Sequence, residues 1–129
     1  MKLRKNIRNL SKALLDPFLV KSWRLSVWMV VVNYSLILTA LMLPLLLPNL
    51  ASYFISLIIL ANRQLGLAIL MHDAAHNALF PDKRFNRFVG RWFFGAPILA
   101  DLDLYRTYHL EHHKTAGSNK DPDRSNYIK

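Results

Sequence analysis

Between Leu25 and Asn62 the chain carries no charged residue. As a single helix that run would extend about 57 Å at 1.5 Å per residue. The hydrocarbon layer of a bilayer is only about 30 Å thick. Pro44, Pro48 and Asn49 interrupt the run in its middle. The pattern therefore predicts two transmembrane helices, 25–43 and 51–71, joined by a tight turn. Trp23 and Trp28 fall where an interfacial aromatic belt is expected. The second span is not uniformly apolar, because Asn62-Arg63-Gln64 lies inside it. An arginine at that depth is costly unless it is paired or snorkels. Two readings stand side by side. Arg63 faces a polar interior and pairs with an acid or with another part of a bundle, or the span is short and tilted and Arg63 reaches the surface.

The pattern changes after the second span. Pro81-Asp82 marks a loop, and Lys83 to Phe94 fits an amphipathic helix. Arg84, Arg87 and Arg91 fall within about 60° of one another at 100° per residue, and Phe85, Phe88, Val89, Trp92 and Phe93 fill a separate arc. A basic face opposite an aromatic face suits a helix lying in the headgroups, and the alternative is a helix buried in a soluble domain. Gly95-Ala96-Pro97 turns the chain, and 99–113 reads as a further helix. From Lys114 to Asp123 the composition is that of a loop.

Charge orients this layout. The net charge is +9 although 53% of the residues are hydrophobic, a combination that suits a membrane protein with basic flanks. Residues 1–24 carry Lys2, Arg4, Lys5, Arg8, Lys12, Lys21 and Arg24 against Asp16 alone. That segment reads as a basic amphipathic stretch on a membrane surface or as a solvated basic tail. The turn near Asn49 has no Lys or Arg, whereas nine follow His72. The positive-inside rule then puts both ends in the cytoplasm. The basic residues flank apolar spans and form no long charged stripe, which argues against nucleic acid as a partner. The chain has no cysteine, so thiolate metal sites, iron–sulfur clusters and disulfides are excluded. The organisation expected is a basic segment 1–24, a two-helix transmembrane hairpin 25–71, and a region 72–129 at the cytoplasmic face, all of it helical.

All five histidines fall in two clusters, His72-Asp73-Ala74-Ala75-His76 and His109-Leu110-Glu111-His112-His113. On a helix, His72 and His76 stand one turn apart on one face, as do His109 with His112 and His113. Imidazole suits zinc, copper, iron and nickel. A helical zinc hydrolase motif would carry glutamate where Asp73 stands, and one zinc needs only three or four ligands. Two clusters suggest two metals, and iron fits a site rich in neutral imidazole at a membrane face. Asp101 and Tyr105 share a face with His109 and His112. They read either as partners that orient the imidazoles or as a polar face meeting water.

The two clusters, His72-Asp-Ala-Ala-His76-Asn-Ala-Leu-Phe80 and His109-Leu-Glu-His-His113, resemble the first two histidine boxes of the membrane fatty acid desaturases. Asp101, Tyr105 and Arg106 precede the second box and Asp121-Pro-Asp123 follows it. The resemblance covers about residues 60–125 and the hairpin by pattern. It implies an all-α membrane protein with a non-haem diiron centre. Such a centre takes molecular oxygen and electrons from a ferredoxin- or cytochrome-type donor and introduces a double bond into an acyl chain, held as an acyl lipid or on coenzyme A or acyl carrier protein. It implies His72, His76, His109, His112 and His113 as iron ligands. Asp73, Asn77, Asp101 and Tyr105 follow as residues that support them. Lipid or carotenoid hydroxylases and ketolases share both boxes. The family's third box, (His/Gln)xxHisHis, is not among these residues. The expectation is therefore an N-terminal portion, as a fragment or a truncated form, with an inactive membrane remnant as the alternative.

Overall fold

The computed structural model describes residues 21–126. Residues 1–20, most of the basic leading segment, and 127–129 lie outside them. The described chain is helical, with no strand among the described residues. Helix α1 runs Trp23–Leu46 and helix α2 Leu50–Ala75, packed as an antiparallel pair. Both are long and apolar enough to cross a membrane. Large apolar side chains such as Trp28, Leu38, Phe54 and Leu57 stand exposed along them, which water would penalise and lipid would not.

The hairpin differs from the expected spans at both inner ends. Pro44 sits inside α1 and does not end it. A proline near a helix end costs one backbone bond there. The break comes instead at Leu47, ahead of Pro48, where the helical conformation is disfavoured. Asn49 then starts α2 with a capping box. Its side chain accepts from Ser52 N at 3.0 Å, and its own N–H donates to Ser52 Oγ at 3.4 Å. At 26 residues, α2 is about 39 Å long, longer than the hydrocarbon layer. It continues to Ala75 where 71 was the expected end.

Arg63 finds an amide, not an acid. Its Nη1 donates across the hairpin to Asn33 Oδ1 at 3.5 Å, and Asn33 is itself buried. Gly66 makes the room, since a Cβ there would stand 2.7 Å from that oxygen.

Helix α3, Lys83–Val89, is capped by Asp82, which accepts from Phe85 N at 2.6 Å. The helix expected over 83–94 forms, but only its first half is α-helical. Past Val89 the chain widens into a π-helical segment, Gly90–Gly95, followed by a 3-10 turn, Ala96–Ile98. Tyr34 of α1 donates its hydroxyl to Phe93 O in the widened segment. Nor is the basic face simply turned to headgroups. Arg87 Nε donates to Asp103 at 2.9 Å and Arg91 pairs with the same carboxylate. Among the aromatics, Phe85 packs on Trp23 and Phe80, Val89 is buried, and Phe88, Trp92 and Phe93 are exposed. Helix α4, Leu102–Thr115, begins three residues later than expected because Asp101 serves as its cap.

The core lies at one end of the hairpin. Leu67, Leu70, Met71, Ala74 and Ala75 form a buried stripe at helical spacing on α2. Leu79, Phe80, Val89, Phe94 and Leu102 close on it. Asn86 staples the loop before α3, bonding Phe80 N at 3.1 Å and Asp82 O at 2.8 Å. Ser26 ties α1 to the same loop through Leu79 O at 2.6 Å. The end of α2 is thereby held against α4.

Candidate metal centre

The stripe that carries His72 and His76 borders the buried stripe of α2, so both imidazoles leave the core side by side. Their ring centroids are 4.7 Å apart. Helix α4 crosses nearby and adds His109 and His113. One nitrogen from each of His72, His76, His109 and His113 lies within 4.8 Å of the others. The closest approaches are His76 Nε2 to His109 Nε2 and His109 Nε2 to His113 Nε2, both 3.0 Å. Two nitrogens bound at right angles to one metal, each about 2.1 Å from it, would stand about 3 Å apart. The donor set therefore fits a metal that favours imidazole.

His112 stands outside this group of four, with its ring 5.7 Å from that of His113. Its Nδ1 lies 2.8 Å from Asp121 Oδ1 and 3.4 Å from Asp123 Oδ2. Asp121 is buried and tightly held, accepting also from Asp123 N at 2.9 Å and Gly117 N at 3.1 Å. A carboxylate on Nδ1 fixes the imidazole tautomer and leaves Nε2 as the ligand atom. Asp73 holds His72 in the same way, with Nδ1 2.9 Å from its Oδ1.

Burial pushes the pKa values of His76 and His109 down, and the surrounding histidines push the same way. At neutral pH both rings are uncharged, the state that binds metal. The hydrogen bond to Asp121 raises that of His112.

The supporting residues divide. Tyr105 stacks on His109 with centroids 5.1 Å apart and planes 12° apart. Asn77 takes a left-handed backbone, φ 52°. With its amide oxygen turned to Arg106 it accepts from both terminal guanidinium nitrogens at 3.2 Å. Asp101 instead caps α4, accepting from Asp103 N at 2.7 Å and Leu104 N at 2.9 Å. Reasoning from sequence gave Asp121, Asp123 and Arg106 no role. Asp121 and Asp123 lie where loop composition offers no periodicity to read, and Arg106 lies on the expected helix, where its partner Asn77 is distant in sequence.

These features define a helical protein with two helices able to span a membrane and a histidine cluster able to hold a metal where α2 ends. Residues 48–128 match the family model for fatty acid desaturases, and the chain belongs to that family. No curated protein and no solved structure matches it.

Proposed function

We propose that the chain carries the iron-binding part of an oxygen-dependent acyl desaturase, with the site on the cytoplasmic face of the membrane. The observation that supports this most is the convergence of His72 and His76 from α2 with His109 and His113 from α4. With two non-haem irons bound, the site would let oxygen accept two hydrogens from an acyl chain, and two electrons and two protons supplied through a ferredoxin- or cytochrome-type donor, leaving a double bond and two waters. The residues of this chain set the conditions. Neutral His76 and His109 present lone pairs. Asp73 and Asp121 hold the Nδ1 protons of His72 and His112. Tyr105 braces the His109 ring from one side. The distribution of Lys and Arg supports the cytoplasmic placement.

The test is metal retention. The chain, purified in nonionic detergent and loaded with ferrous iron without oxygen, should retain iron through dialysis. A variant with His72, His76, His109 and His113 all changed to alanine should retain none above background. Absence of retained iron in the parent chain, or iron retained by the variant, would overturn the reading.

A further inference from the structure

Next to the histidine cluster lies a cavity with different chemistry. It measures about 250 Å³ and is lined by Ala74, Asn77, Lys83, Arg84, Arg87, Leu102 and Arg106. Four of these side chains are cationic, and no carboxylate lines the cavity. Arg87 is compensated from outside by Asp103 at 2.8 Å. Lys83, Arg84 and Arg106 form no ion pair among the described residues. Like charges gathered without a counter-charge repel one another, so the arrangement calls for an anion.

The position of the cavity narrows the choice. Its floor is Ala74 and Leu102, both buried. Ala74 lies on the same turn of α2 as His72 and His76, and Arg106 precedes His109 by one turn of α4. Asn77, adjacent to His76, holds the Arg106 guanidinium through both terminal nitrogens. An anion seated here is therefore fixed relative to the histidines by two short elements. The volume falls below the roughly 300–1,000 Å³ of a pocket that encloses a whole drug-sized ligand. It suits a head group whose remainder lies elsewhere. Guanidinium groups favour phosphate, which they bind through paired, charge-assisted hydrogen bonds.

We propose that this cavity binds the phosphate of the acyl substrate's head group and so positions the chain against the metal centre. The proposal rests on the desaturase reading for its substrate. The phosphate could come from a glycerophospholipid or from coenzyme A, and binding separates these sources.

The experiment is calorimetric titration of the iron-free chain in nonionic detergent. The probes are coenzyme A, a short-chain phosphatidylglycerol and a short-chain galactosyl diacylglycerol with an uncharged head. One of the two phosphate compounds should bind with one-to-one stoichiometry and more tightly than the galactolipid. Arg84→Gln and Lys83→Gln, both at exposed positions, should each weaken it about tenfold, as the loss of one charge-assisted hydrogen bond implies. Arg24→Gln and Lys120→Gln, outside the cavity, should leave it unchanged. Equal binding of the galactolipid, absence of binding, or equal loss in the Arg24 and Lys120 variants would each overturn the proposal. The titration needs no iron. Failure here with iron still retained overturns the phosphate site alone, and success here with no iron retained overturns the metal reading alone.

Discussion

Nε2 of His76 and Nε2 of His109 stand 3.0 Å apart, although 33 residues separate them in the chain. A neutral imidazole has one donor and one acceptor nitrogen, so a cluster of such contacts cannot satisfy every ring by hydrogen bonds alone. A shared cation relieves that conflict. We expect His76→Ala and His109→Ala each to reduce retained iron more than tenfold, measured by elemental analysis after dialysis. Retention equal to the parent chain in both variants would remove these two residues from the ligand set.

Asp121 acts one bond further out. Asp121→Asn keeps the shape but loses the charge that holds His112 Nδ1 at 2.8 Å. Such orienting partners typically contribute about 10–100-fold in metal affinity. We expect a loss in that range, read by competition with a metal chelator, while the helical circular dichroism stays intact. Asp101→Asn should leave metal affinity near that of the parent, since Asp101 caps α4 and asparagine is an equally good cap. Equal losses from the two changes would contradict the distinction.

The metal-free chain should show histidines shifted in opposite directions from the ordinary value of about 6.5. His76 and His109 titrate lower in the fold than in the unfolded chain, chiefly through burial. As the pH falls below about 6.5, the unfolded chain takes up protons there that the fold resists, so these two weaken the fold. His112 titrates higher, chiefly through its bond to Asp121. Its stabilisation is complete below about 6.5 and is lost as the pH rises through its raised value. Imidazole proton resonances followed against pH would check both signs. His112 titrating below His76 and His109 would contradict them.

Topology has its own check. Leu50 opens α2 at the turn opposite the histidines and is 86% exposed. In intact cells, Leu50→Cys should react with a thiol reagent that cannot cross the membrane, and the chain has no other cysteine to confuse the signal. Labelling only after the inner face is opened would reverse the proposed orientation.

Much of this was legible in the sequence because it is local. An uncharged run reports its own solvent, and His72 and His76 share a face by spacing alone. Capping residues such as Asn49 act within a turn. The relations that escaped are between distant segments. Nothing near Asn33 announces that Arg63 will reach it, and Arg87 and Arg91 read as part of a headgroup-facing basic stripe until Asp103 is placed beside them. The π-helical widening after Val89 was invisible for the same reason. Gly90, which opens it, answers to residues on two other helices, so periodicity along its own segment carries no trace of them.

Gly90 makes that last point testable. A Cβ at Gly90 would stand 2.8 Å from Ala74 Cβ on α2 and 2.9 Å from Leu102 Cδ2 on α4. Those are the two helices that carry the metal ligands, so a methyl group there acts as a wedge between the halves of the site. Overpacking of this kind costs about 1–3 kcal/mol. We expect Gly90→Ala to lower the thermal midpoint in detergent and to weaken iron retention together, because the strain is relieved by parting α2 from α4. Adding Ala74→Gly removes one of the two clashing atoms, at a helix cost of about 0.5–1 kcal/mol. The double variant should therefore recover metal binding more fully than stability. If Gly90→Ala lowered the midpoint with metal affinity untouched, the packing of the widened segment would matter to the fold but not to the alignment of the histidines.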